Sequence, residues 1–177
     1  MNINLAGKTA LGAGAKKCLP MAVALALAQA GADVALTYFS NSSEETVTAI
    51  RALGCRSMAL RMDATDSADV DRVMPELAGA MDGRVDILVN NAGHMVGRVS
   101  VSEMSDEHWH NVIDVNLSSA FYCTRAVLPY MHGGWGRIIN MTSLAARNGG
   151  GTGAAAYSAA KAGLLGLTRG LAKELAS

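Results

Sequence analysis

The chain of 177 residues balances fifteen basic against fifteen acidic side chains, so its formal charge at pH 7 is zero. With no basic surplus for a phosphate backbone and no polybasic tail for anionic lipid, neither nucleic acid nor a membrane is an expected partner. Half of the residues are hydrophobic, and the length suits one domain, 1–177, with a sizeable core. Cys18, Cys55 and Cys123 show no metal-ligand spacing and follow no secretory signal or long apolar span, so a reducing cytoplasm is the expected setting. His108 and His110 stand two apart on a predicted helix and point to different faces, so no metal site is expected.

Short apolar runs alternate with longer helical stretches, the pattern of right-handed βαβ units and a parallel sheet covered on both faces. The first strand is predicted over 9–12 and its helix over 20–30, with Pro20 suited to a first helical position. A second strand over 33–38 leads to a helix over 43–53, which Ser42 and Glu45 would open as a capping box. A third strand over 57–61 precedes a helix over 67–81. The fourth, over 86–90, precedes a long helix over 106–132, where Asp106 and Glu107 complement the helix amino end. The fifth strand falls over 137–141 and the last helix over 154–176. The fold class is therefore α/β, a doubly wound parallel sheet, and ligands of such sheets bind at the carboxyl ends of the strands. Gly149, Gly150 and Gly151 read as a mobile loop above that site.

The chemistry concentrates after the fifth strand. Tyr157 and Lys161 are four apart and share a helix face, so an ammonium sits beside a phenol. A nearby positive charge stabilises the phenolate, which suits Tyr157 to work as general acid or base. The Ser143 hydroxyl would hydrogen-bond the oxygen of a carbonyl held between them.

Five ordered motifs give this set its context: Gly7-Lys8-Thr9-Ala10-Leu11, Asn90-Asn91-Ala92-Gly93, Asn116 within a Val-Asn-Leu stretch, Asn140-Met141-Thr142-Ser143, and the Tyr157/Lys161 pair. Through them the chain resembles the short-chain dehydrogenase/reductase family along its whole length. The resemblance implies a Rossmann-type sheet of order 3-2-1-4-5. It also implies that two further strands and a substrate lid, found in other members, are absent from this sequence. The implied catalytic set is Asn116, Ser143, Tyr157 and Lys161, with Asn116 supporting a water that relays protons to Lys161. Tyr157 and Lys161 would also touch the cofactor. The long helices over 106–132 and 154–176 would pack against a second subunit in a homo-oligomer, a dimer or tetramer.

The same resemblance locates a cofactor site. Family members carry a Thr-Gly-x-x-x-Gly-x-Gly turn after the first strand, whose glycines let backbone approach a pyrophosphate. Here the positions run from Ala13 to Pro20. Gly14 is kept, while Cys18 and Pro20 replace the second and third glycines. Either the turn works in modified form, aided by Lys16 or Lys17, or it is damaged and binds cofactor weakly. Leu19 lies beside it. No acid stands at the end of the second strand, where Tyr38, Phe39, Ser40 and Asn41 occur and Lys17 could face a 2′-phosphate. NADP(H) is favoured for that reason, with NAD(H) possible. Asp63 is the implied adenine contact, and Asn90, Ala92 and Gly93 would make room for the ribose. Two functions follow: hydride transfer between the nucleotide and a small ketone or secondary alcohol, or a catalytically weak or inactive subunit acting through oligomer contacts. Within the first, 3-oxoacyl-thioester reductases and sugar or polyol dehydrogenases are equally close.

Overall fold

The computed structural model describes residues 3–14 and 19–176. Five parallel strands, β1 (Thr9–Ala13), β2 (Asp33–Tyr38), β3 (Ser57–Arg61), β4 (Ile87–Asn90) and β5 (Arg137–Asn140), lie in the order β3-β2-β1-β4-β5, as expected of a doubly wound sheet. The helices between and after them are α1 (Leu19–Gln29), α2 (Glu44–Ala52), α3 (Ser67–Ala80), α4 (Asp106–Ile113), α5 (Ser119–Val127), α6 (Ala145–Asn148) and α7 (Ala155–Glu174).

Successive side chains of a strand point to opposite faces, and here each face has its own core. Ala10, Val34, Leu36, Ile87 and Val89 pack with Ala24 and Ala28 of α1 and Ile50 of α2. The intervening Leu11, Ala35 and Leu88 pack with Val70, Val73, Met74 and Leu77 of α3 and with Cys123 and Val127 of α5. Burial on both faces is why β4 reads as an unbroken apolar run before Asn90.

The amino ends of the strands are fastened by Asp86, which is fully buried. Its carboxylate accepts from the Thr9 N–H at 3.0 Å, from Lys8 Nζ at 3.1 Å and from Arg84 Nη2 at 2.6 Å. Burial alone would push its pKa up. The Thr9 N–H, Arg84 and Lys8 outweigh burial and hold it below the usual carboxylate range. Its stabilisation is therefore present at neutral pH and lost as pH falls from the unfolded carboxylate value through the folded one. Asp86→Asn is expected to destabilise the chain by about 2 kcal/mol at pH 7, measured by urea unfolding.

Three local expectations are corrected. First, the helix over 106–132 runs unbroken to Tyr130 but is not α throughout: α4 gives way to a π turn over Asp114–Ser118, then α5, then a 3-10 turn over Leu128–Tyr130. Polar side chains open the ladder by bonding nearby acceptors: Asn116 Nδ2 donates to Val112 O at 3.0 Å, and Ser119 Oγ to Val115 O at 2.9 Å. Second, α2 has no capping box. Ser43 is its N-cap, which puts Glu45 one position too early for the reciprocal bond, and Ser42 Oγ accepts from Glu44 N instead at 3.2 Å. Third, the glycine loop after α6 is tied down. Arg98 Nη1 donates to Gly150 O at 3.3 Å and to Thr152 O at 2.8 Å, and Val99 N donates to Gly153 O at 3.2 Å.

Among the described residues, no helix is long and apolar enough to cross a membrane, and no cluster of His, Cys, Asp or Glu is arranged to hold a metal ion. Nor does any described strand pair with the outer edge of β5, where Ile139 is 43% exposed. Trp135, Ile138, Leu171 and Leu175 line a groove of about 830 Å³ between that strand and the second half of α7.

Candidate active site

Parallel pairing brings the strand exits level. Ala13 lies opposite Asn90, Asn90 opposite Asn140, and Tyr38 opposite Arg61. The loops leaving these ends carry the residues singled out in the sequence.

Gly14 has φ +86°, donates its N–H to Thr37 Oγ1 at 3.1 Å and accepts at its carbonyl from Asn91 Nδ2 at 3.2 Å. A β-carbon there would stand 2.6 Å from Ala92 Cα, so only glycine allows the loops after β1 and β4 to touch. Leu19 opens α1, and Pro20 follows it in the first turn, where a missing N–H breaks no helical bond. Lys16, Lys17 and Cys18 lie outside the described residues.

Asn90 is buried, and its amide donates to Thr124 Oγ1 at 3.1 Å and Asn140 Oδ1 at 2.8 Å, which ties β4 to α5 and β5. Past it, Gly93 leaves a narrow gap. An added β-carbon would lie 2.7 Å from Asn116 Oδ1 and 2.8 Å from Lys161 Nζ, so these two groups from distant segments converge on one point. The π turn is what aims Asn116. Its Nδ2 is fixed by Val112 O and by His94 O at 2.8 Å, while Oδ1 is buried with no hydrogen-bond partner.

Lys161 is 4% exposed, donates to Met141 O at 3.0 Å, and stands 5.9 Å from the centre of the Tyr157 ring. Burial lowers its pKa to about 8. Ser143 is held against the same helix by bonds on either side of it: Thr142 Oγ1 donates to Lys161 O at 2.8 Å, and Ser158 Oγ donates to Ala145 O at 2.7 Å. Its own oxygen accepts the Ala145 N–H at 3.2 Å, which leaves the hydroxyl proton to donate to a ligand. The structure thus gathers Ser143, Tyr157, Lys161, Asn116 and Gly93. A buried ammonium with spare donors, next to an orphaned amide oxygen, fits the hydroxyl groups of a ribose, each a donor and an acceptor.

At the far side, Asp63 forms a turn, its Oδ1 accepting from Thr65 N at 2.9 Å and Thr65 Oγ1 at 2.7 Å. Asp66 caps α3 instead. Tyr38 is half-buried at the end of β2. Sequence reasoning missed Arg61, whose Nε donates to Phe39 O at 3.1 Å while its guanidinium lies 5.4 Å from the Phe39 ring centre. It also missed Thr37 and Asn91 as braces of Gly14. The register of β3 on β2 is the signal that exposes Arg61, and no local pattern carries it.

Gly93→Ala is a sharp test of this convergence. The methyl group would press on Asn116 and Lys161, and we expect a loss of about 1–3 kcal/mol of stability with at least a roughly hundredfold fall in turnover. Thermal unfolding and steady-state rates measure both.

A doubly wound sheet with a serine just past the exit of β5 and a tyrosine and a buried lysine on α7 beside it is the arrangement of a dinucleotide-dependent oxidoreductase. The profile of that class described as short chain dehydrogenase matches residues 8–177. The chain is 39% identical over 176 residues to the 3-oxoacyl-[acyl-carrier-protein] reductase FabG of Escherichia coli K12, covering 99% of this chain and 70% of that one. It is 37% identical over 172 residues to the 2-dehydro-3-deoxy-L-rhamnonate dehydrogenase (NAD(+)) of Sphingomonas sp. SKA58, covering 97% of this chain and 67% of the other. A short chain dehydrogenase from Burkholderia cenocepacia J2315 solved in complex with NADP superposes with a TM-score of 0.91 at 34% identity, over 98% of this chain and 70% of that structure. The chain belongs to the short-chain dehydrogenase/reductase family of NAD(P)-dependent oxidoreductases.

Proposed function

We propose that this chain is an NADP(H)-dependent oxidoreductase that interconverts a small ketone and a secondary alcohol, with Tyr157 as the general acid/base. The observation that carries the reading is Lys161, a buried ammonium beside the Tyr157 ring and the unpartnered Asn116 oxygen. When bound, the nicotinamide supplies or takes up the hydride. The Ser143 hydroxyl donates to the carbonyl oxygen and stabilises the charge that develops there. Tyr157 gives that oxygen a proton in reduction and removes one in oxidation. Lys161 lies beside the Tyr157 ring and grips the ribose, and Asn116 offers its oxygen to a relay water or to the ribose. Gly14, Ala92 and Gly93 let the backbone come close, while Leu19, Tyr38 and Asp63 border the adenosine half. Asn90 acts as the clamp that sets the loop after β4.

NADP(H) is preferred because residues 38–43 contain no carboxylate to accept a 2′-hydroxyl. The two relatives' substrates, a 3-oxoacyl thioester and a sugar acid, set the first compounds to try. The one-domain reading, the cytoplasmic setting and a homo-oligomer built on the faces of α5 and α7 belong to the same proposal. Phe121, 45% exposed on α5, supplies apolar surface for it. Titration with NADPH and NADH, followed by absorbance-monitored oxidation of NADPH with 3-oxoacyl thioesters and small ketones, tests the proposal. Saturable binding with turnover supports it. Failure of both nucleotides to bind overturns it in favour of an inactive subunit acting through oligomer contacts.

A further inference from the structure

We propose that Arg61, stacked on Phe39 across the exits of β2 and β3, is the residue that receives the 2′-phosphate and makes this chain prefer the phosphorylated dinucleotide. The inference rests on the dinucleotide reading above. Arg61 is the last residue of β3 and lies in register with Tyr38, the last residue of β2. Its side chain is exposed, yet it is held at two points: Nε donates to Phe39 O at 3.1 Å, and the guanidinium lies over the Phe39 ring at 5.4 Å from its centre. A planar guanidinium fixed in this way loses little freedom on binding an anion, and its terminal nitrogens form a fork that matches a phosphate.

Charge around it is arranged to the same end. Among the described residues no carboxylate reaches salt-bridge distance of Arg61. Asp69 feels its charge, but one Asp69 oxygen accepts from Asp63 N at 2.7 Å and the other takes the Arg72 guanidinium. Residues 38–43 read Tyr-Phe-Ser-Asn-Ser-Ser, so no acid of that segment repels a phosphate or competes for a ribose hydroxyl. Phe39 is 55% exposed, a large apolar face left in solvent, which gains a purpose as the platform that orients Arg61.

The test uses adenosine 5′-monophosphate, adenosine 2′,5′-bisphosphate, NADH and NADPH in calorimetric titrations of the full chain and of Arg61→Gln and Arg61→Lys. The wild type should bind the 2′,5′-bisphosphate at least roughly tenfold more tightly than the monophosphate. Arg61→Gln should bring that ratio close to one while the monophosphate and NADH constants move less than about twofold, with Arg61→Lys between. Added salt should weaken NADPH more than NADH in the wild type alone. An unchanged ratio in Arg61→Gln, or equal loss of all four ligands, overturns the proposal. If the wild type binds NADH and the monophosphate without favouring the extra phosphate, this inference falls together with the preference for NADP(H), and the reading as a dinucleotide-dependent oxidoreductase stands. If it binds none of the four, the dinucleotide reading falls and takes this one with it.

Discussion

Tyr157→Phe is expected to lower kcat by roughly 10²- to 10⁴-fold while the NADPH dissociation constant stays within about twofold of wild type. The split follows from what the substitution removes. Phenylalanine keeps the ring, so the Lys161 ammonium keeps its neighbour at 5.9 Å, and the helix that carries both is unchanged. Only the hydroxyl is lost, and with it the group proposed to exchange a proton with the carbonyl oxygen. Ser143, the proposed donor to that oxygen, remains, which is why some turnover should persist. Nucleotide binding by fluorescence titration and single-turnover oxidation of NADPH measure the two halves separately. Unchanged turnover would remove Tyr157 from the chemistry, and a parallel loss of binding would make it a cofactor contact instead.

Lys161→Met should abolish turnover and yet raise stability at pH 7 by about 1–2 kcal/mol, because the native ammonium is buried at a cost. Burial brings the lysine from its usual 10.5 to about 8 in the folded chain. Below pH 8 both folded and unfolded chains hold the proton, and the wild type carries the whole penalty, about 3 kcal/mol. Between about 8 and 10.5 the unfolded chain binds more protons than the folded one, so wild-type stability rises with pH across that window. Above it the penalty is gone. Methionine fills similar volume with no charge, but it leaves Met141 O without its donor, which is why the expected gain is smaller than the full penalty. The difference between wild type and variant in urea unfolding, taken from pH 6 to about 10.5, should therefore shrink and then reverse sign. Subtracting one protein from the other cancels the remaining titrating groups. A difference that does not change with pH would mean that Lys161 is solvated and its charge costs nothing.

Much of the fold was legible because a strand buried on both faces leaves an apolar run that little else produces. The run ending at Asn90 is of this kind, and the expected strand limits differ from the observed ones by at most one residue at either end. The Tyr157/Lys161 pair was legible for a similar reason, since helical geometry converts a spacing of four into proximity. What stayed hidden depends on contacts between segments far apart in the chain. Arg61 acquires a meaning only when β3 is laid beside β2, and the meeting of Asn116 with Lys161 at Gly93 involves three separate loops and helices. The π turn within the long helix was hidden for another reason. Serine and asparagine side chains open it by bonding backbone carbonyls, and hydrophobic periodicity does not register such bonds. Asn90 shows the same dependence on distant contacts, since only the packed sheet brings Thr124 and Asn140 to its nitrogen.

The widened turn over Asp114–Ser118 also bears on how this protein tolerates change in length. Its backbone bonds span five residues instead of four, so the turn holds one residue more than the α turn it stands in for, and deleting one residue here lets the helix close as a regular α-helix. Cys123 and Val127 would stay beneath the sheet, while Asn116 would lose the placement that brings it to the gap at Gly93. A library of single-residue deletions over this stretch should accordingly yield chains that fold and do not turn over.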